Sequence, residues 1–155
     1  MQVISSNEKS AHTQQDSLQL KIPVENKLDN ITVLVVDDEP SILESLSEYL
    51  LAMNYNVIKC DTGSAALDTF ESNNTGIDVI ILDMILPDMG GREVYEKMYK
   101  IDPELNVIIM TGYSTVNDID YVKKLGVKKV LYKPFHYNIL DSMLQEIMRD
   151  KDLSI

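Results

Sequence analysis

From Ile31 onward the chain alternates short apolar runs with longer segments whose apolar residues recur at helical spacing, and this alternation admits few folds. Strands separated by helical crossovers lie parallel in one sheet. Five strand-helix units are legible. The first joins a strand at Thr32 to Val36 with a helix from about Pro40 to Met53; Ile42, Leu43, Leu46, Tyr49, Leu50 and Met53 share a face, and Pro40 is at a permissible first-turn position. The second strand is Asn56 to Cys60, with a helix from Gly63 to Glu71. The third, Asp78 to Leu82, is almost wholly apolar, which marks a central strand buried on both faces, and Arg92 to Lys100 makes its helix. Val107 to Met110 forms the fourth strand, and its helix, about Val116 to Leu125, stops at Gly126. Lys128 to Tyr132 and Tyr137 to Arg149 complete a doubly wound α/β sheet of five parallel strands.

The 155 residues, 45% of them hydrophobic, suffice for one domain with a real core and hardly for two. That domain is expected at residues 31–150, between a polar, flexible extension at 1–30 and a short tail at 151–155. Within the extension, Leu18 to Val24 alternates well enough to make a short edge strand. The formal charge of −11 disfavours direct binding of nucleic acid or anionic membrane and suits cationic or metal partners. The single cysteine, Cys60, excludes an internal disulfide and reads as a buried or half-buried thiol. No run is long and apolar enough for a membrane span and no secretory leader opens the chain, so the cytoplasm is the expected location.

In such a sheet the residues that follow the strands gather along one edge, close to the reversal of strand order. Here they are Asp37 and Asp38 after the first strand, Asp83 after the third, Thr111 after the fourth and Lys133 after the fifth. A single Asp at a strand end is commonly a helix cap or turn residue. Three carboxylates, a hydroxyl and an ammonium together are not so explained. Clustered carboxylates must raise their pKa values, pair with a cation or bind metal. Oxygen ligands without His or Cys favour Mg²⁺ or Mn²⁺, and Mg²⁺ characteristically accepts phosphate oxygens beside one or two carboxylates. The set therefore suits a phosphoryl group, with one carboxylate as nucleophile.

The segments VLVVDDEP, VIILDMILPDMGG, VIIMTGYS and VLYKPF, in this order and spacing, resemble the receiver domains of two-component response regulators from about Asn30 to Arg149. The resemblance implies the flavodoxin-like receiver fold with strand order 2-1-3-4-5. It implies that Asp83 is the phosphoacceptor, charged by a histidine kinase or histidine phosphotransfer protein, and that the phospho form switches binding of a protein partner. By the same resemblance Asp38 and Asp83 ligate Mg²⁺ directly, Asp37 does so through water, the main-chain carbonyl of Ile85 completes the protein ligands, and Thr111 and Lys133 contact the phosphoryl. The resemblance also implies that Ile85 and Tyr113 flank the phosphoryl and modulate its lifetime. A cis Lys133–Pro134 bond is also implied, as is a loop containing Pro87 and Gly91, where glycine permits unusual backbone angles. The resemblance further implies a phosphoacceptor with intrinsic self-phosphorylation and self-dephosphorylation rather than a turnover enzyme.

One position departs from the pattern. Many receivers carry an aromatic switch residue three places before the lysine, and Val130 stands there. Tyr132, on the same side of the strand by period-two alternation, and Tyr113 are the candidate substitutes; the alternative is that both tyrosines pack against the fourth helix. A haloacid-dehalogenase-like phosphatase would place its nucleophile after the first strand and its acidic pair late, the reverse of the order here. A flavodoxin-like electron carrier needs a hydroxyl- and glycine-rich loop where this chain has two acids. A receiver-like module that no longer phosphorylates is disfavoured by the intact five-residue set. With no output domain after Arg149, output by contact is expected, from a stand-alone regulator, a phosphorelay intermediate or a receiver excised from a longer regulator or hybrid kinase.

Overall fold

The computed structural model describes residues 31–112 and 116–153, apart from the side chains of Asn74 and Leu153. The proposed edge strand at Leu18 to Val24 and the extension as a whole lie outside the described residues. Five strands, β1 (Thr32–Val36), β2 (Asn56–Cys60), β3 (Val79–Asp83), β4 (Val107–Thr111) and β5 (Lys129–Tyr132), alternate with five helices. The helices are α1 (Pro40–Ala52), α2 (Gly63–Asn73), α3 (Gly91–Ile101), α4 (Val116–Lys124) and α5 (Tyr137–Leu153). All neighbouring strands pair parallel, in the order β2-β1-β3-β4-β5. The doubly wound fold and its strand order are therefore as expected.

Period-two alternation divides the core into two layers. Val33, Val35, Val79, Ile81, Ile108, Met110 and Leu131 point to one face, where Leu43, Leu46 and Leu50 of α1 and Leu140, Leu144 and Ile147 of α5 cover them. Leu34, Val36, Ile80, Leu82 and Ile109 point to the other, beneath α2, α3 and α4. All residues of β3 and β4 are buried, as the continuous apolar runs require of central strands.

Two helices end in the same way. Beyond α1, Asn54 takes φ 65°, its amide donates to the Leu51 carbonyl and the Tyr55 amide donates to that of Leu50. Beyond α4, Gly126 takes φ 118°, and the Gly126 and Val127 amides reach Lys123 and Val122. Both are Schellman ends, closed by an apolar residue, Tyr55 or Val127, that returns to the core. Met53, expected on the apolar face of α1, instead caps it and is 38% exposed.

Several boundaries differ from the sequence expectation. Strand β3 begins and ends one residue later, because the Asp78 side chain accepts a hydrogen bond from the Thr32 amide while Asp83 continues the ladder beside Met110. Helix α5 runs to Leu153 rather than Arg149, into the segment set aside as a tail, and Lys151 on this added turn pairs with Asp78 at 2.7 Å. A 3₁₀ turn at Asn74–Gly76, which no sequence signal announced, precedes β3.

Candidate functional site

Parallel strands bring Asp37, Asp83, Thr111 and Lys133 to one edge of the sheet. Asp83 is the last residue of β3 and Thr111 the last of β4, while Asp37 and Lys133 each directly follow a strand. Asp37, Asp83 and Thr111 are 0%, 6% and 3% exposed, placing polar groups where only partners can offset desolvation. Asp37, Asp83 and Lys133 continue the alternation of the α1/α5 face, so their side chains belong to one side of the sheet. Register keeps the β4–β5 pair closed here, with Thr111 opposite Tyr132 and the Lys133 amide donating to the Thr111 carbonyl at 2.8 Å.

Lys133 bridges the two buried acids. Its Nζ donates to Asp37 Oδ2 at 2.6 Å and to Asp83 Oδ2 at 2.7 Å. The remaining oxygens are also engaged, Asp37 Oδ1 by the Glu39 amide and Asp83 Oδ1 by the Ile85 amide, both at 2.9 Å. Burial pushes the Asp37 carboxyl above its ordinary range, and the bonds from Lys133 and Glu39 offset only part of this. Burial opposes the charge on Lys133 too, but its bonds to Asp37 and Asp83 outweigh that and hold the ammonium above its usual value. The site thus contains a charged lysine and a buried carboxyl that resists ionisation.

Asp38 completes the acidic group from an exposed position, and one carboxylate oxygen from each of Asp37, Asp38 and Asp83 lies within 4.8 Å of the others. This oxygen-only set, with two acids against one lysine in the buried part, fits a small hard dication. Ile85 stands at the rim, 55% exposed. A cavity of about 600 Å³ opens from Asp83 between α1 and the segment after β5, with Ile42, Ile85, Pro134, Phe135 and Tyr137 among its walls.

Of the remaining expectations, the Lys133–Pro134 bond is cis. Val130 is half-buried on the α2/α3/α4 face. Tyr132, on the same strand, is 60% exposed. Tyr113 lies outside the described residues. Gly91 is needed for a different reason than backbone angle: a Cβ there would approach the Asp83 carbonyl to 2.3 Å and the Met84 Cα to 2.6 Å. The absent side chain lets the first turn of α3 touch the end of β3, where the Gly91 amide donates to the Met84 carbonyl at 2.9 Å.

No sequence pattern marks Asp88. It reaches across from the loop between β3 and α3 to accept hydrogen bonds from the Gly63 amide, the Ser64 amide and the Ser64 hydroxyl at 2.8, 2.8 and 2.6 Å. In sequence it reads only as a turn residue between Pro87 and Met89.

The geometry sets an acid-lysine centre at the carboxyl ends of a doubly wound parallel sheet. Comparison with known proteins gives the family: the profile of the response regulator receiver domain matches residues 33–145, and the chain belongs to that family. It is 35% identical over 106 residues to sporulation initiation phosphotransferase F of Bacillus subtilis, covering 68% of this chain and 84% of that protein. It is 32% identical over 122 residues to the two-component response regulator ARR2 of Arabidopsis thaliana, covering 79% of this chain but 18% of that protein. The chain thus spans less than a fifth of the length of this larger relative. A receiver domain from Clostridium thermocellum superposes with a TM-score of 0.76 at 29% identity, over 81% of this chain and 99% of that one. Among the described residues no helix is long and apolar enough to cross a membrane.

Proposed function

We propose that this receiver domain accepts a phosphoryl group on Asp83, from a histidine kinase or a histidine phosphotransfer protein, in a Mg²⁺-dependent reaction. The observation that carries the reading is the Lys133 bridge between Asp37 and Asp83, with Asp38 beside them at the open end of the site. In the reaction a carboxylate oxygen of Asp83 attacks the phosphorus of a phosphohistidine. The P–O bond forms as the P–N bond breaks, and the electron pair leaves with the imidazole nitrogen, which is then protonated. Lys133 balances charge on the incoming group and Thr111 donates to one of its oxygens. Asp38, Asp83, Asp37 and the Ile85 carbonyl are the groups that would hold Mg²⁺, which supplies further neutralisation of the phosphoryl oxygens. The apolar walls around Ile42, Phe135 and Tyr137 offer the donor protein a surface beside the nucleophile.

Phosphorylation adds about −1.5 to −2 charges at Asp83. Thr111 and Lys133 are the groups positioned to follow it, at the adjoining ends of β4 and β5, so the partner-binding surface is assigned to α4, β5 and their loops. Treatment with phosphoramidate and Mg²⁺, followed by intact-mass measurement, tests the acceptor: parent protein gains one phosphoryl group and Asp83→Asn gains none. Equal labelling of the two would end the assignment.

A further inference from the structure

We propose that Asp88 is a positioning residue for the metal centre: by tying the loop after Asp83 to the first turn of α2, it holds the Ile85 main chain at the acidic cluster. The inference rests on the reading of Ile85 given above. Every helix begins with amides that lack an intrahelical partner. In α2 these are accounted for in two ways. Thr62 Oγ1 accepts from the Ala65 amide at 3.1 Å and the Thr62 carbonyl from the Ala66 amide, as an N-cap residue does. The Gly63 and Ser64 amides are met by Asp88, 25 and 24 residues away. The carboxylate also takes the Ser64 hydroxyl and its neighbour's amide, Met89 at 3.0 Å, so both oxygens are used by a fixed frame.

Two glycines show that this frame is close-fitting. A Cβ on Gly63 would lie 2.4 Å from Met89 Cγ and 2.8 Å from Val94 Cγ2, so α2 presses directly on the loop. At the loop's other end Gly91 permits the contact with Asp83 and Met84 described above. Residues Met84 to Gly90 are therefore held at the base by the Gly91–Met84 bond and at the far side by Asp88, with Ile85 between the two anchors. The Ile85 amide itself donates to Asp83 Oδ1 at 2.9 Å. The Ser64 hydroxyl and the amides of Ser64 and Gly63 hold the Asp88 carboxyl well below the usual carboxylate range, so the anchor is charged at neutral pH.

Calorimetric titration of the full chain with MgCl₂, together with the Mg²⁺ dependence of phosphoramidate labelling, tests this. Asp88→Ala is expected to weaken Mg²⁺ binding roughly tenfold, in the range seen when groups that orient ligands are removed. Its labelling rate at saturating Mg²⁺ should fall by less than about twofold, since Asp83, Thr111 and Lys133 are untouched. Asp88→Asn keeps one acceptor oxygen and should lie between parent and alanine; Ser64→Ala, which removes one of the bonds, should have the smallest effect. An Asp88→Ala affinity within about twofold of the parent overturns the proposal, as does a lower maximal rate at unchanged half-saturation, which would mark a structural role alone. If Asp88→Ala does not fold, Asp88→Asn and Ser64→Ala carry the test, and unchanged affinity in both overturns it. A parent chain that fails to bind Mg²⁺ would remove the metal reading and this inference together, whereas normal parent binding with an indifferent Asp88→Ala removes only the latter.

Discussion

Lys133 and Lys151 hold aspartates at opposite ends of the same sheet, at nearly the same distance and in different surroundings. At the carboxyl end Lys133 is 2.6 and 2.7 Å from Asp37 and Asp83, with its side chain 17% exposed and that of Asp37 fully buried. At the amino end Lys151 is 2.7 Å from Asp78, with side chains 43% and 27% exposed. Water screens the second pair, and exposed pairs contribute about 0–1 kcal/mol. Removing one partner from a buried pair instead leaves an uncompensated charge, at about 3–5 kcal/mol. The charge balance differs as well. Lys151 neutralises one acid, and the result is an anchor for the end of α5. Lys133 faces two buried acids with a third nearby, leaving the site in need of further positive charge. Bond length does not distinguish these two ion pairs; burial and stoichiometry do.

The sharpest way to break this comparison is Lys133→Met. Without metal at neutral pH it should lower the unfolding free energy by about 3 kcal/mol, read from urea denaturation. The loss should narrow as pH falls from 7 toward 4, because without Lys133 the Asp37 carboxyl, already raised by burial, binds a proton more tightly in the folded chain than in the unfolded one, so acid favours the folded variant. Added Mg²⁺ should narrow it also, because it binds only the folded chain and should bind the variant, freed of the competing ammonium, more tightly than the parent. A loss below about 1 kcal/mol would put this pair in the same class as the exposed one.

Next in size is phosphoryl lifetime. Ile85 carries no group to orient a water opposite the leaving carboxylate, and we assign to Tyr113 the exclusion of that water, so the phospho form should be long-lived. Ile85→Asn combined with Tyr113→Glu should speed hydrolysis roughly tenfold, equivalent to about 1.4 kcal/mol in the transition state. Loss of phosphate no faster than in the parent would refute gating by these two residues.

A smaller effect distinguishes burial from pairing within the site. Carboxyl ¹³C chemical shifts followed against pH should show Asp37 titrating above the ordinary value of about 3.9 in metal-free protein, since burial outweighs its bond from Lys133. Addition of Mg²⁺ should bring that titration down. An Asp37 titrating at or below the ordinary value without metal would mean that pairing wins instead.

The smallest expected change is at the far end. Lys151→Ala should cost less than about 1 kcal/mol, and the difference from the parent should fade at high salt, where exposed charges are screened. A larger, salt-independent loss would show that the anchor of α5 matters more than its exposure implies.

The parallel sheet and the polar residues along its edge are legible in the sequence because both depend on local pattern. Apolar runs at β3 and β4 announced buried strands, and the residues ending them had to share an edge once the crossovers were all of one hand. Helix ends are less legible. Gly126 is a sufficient signal for the end of α4, but nothing in the sequence marks Asn54, whose left-handed backbone ends α1, and apolar periodicity places Met53 on the covered face although it caps the helix. The extra turn of α5 depends on Lys151 meeting Asp78, a contact spanning 73 positions of sequence. Val130 and Tyr132 could be placed on one side of a strand from alternation, yet how much of that side α4 covers was not a property of the strand.

What the sequence by itself determined is therefore the order of strands and helices, the two alternating faces, and the identity of the five polar residues at the sheet edge, because these follow from periodicity and from the handedness of an L-polypeptide. Only the tertiary structure decided that Lys133 bridges Asp37 and Asp83 while leaving Asp38 exposed, that Gly91 is required by lack of space rather than by an unusual backbone angle, and that Asp88 completes the start of a helix 25 residues away. Those outcomes are set by close packing between elements remote in sequence. Whether a side chain is desolvated, or a Cβ has room, depends on atoms that no local pattern contains.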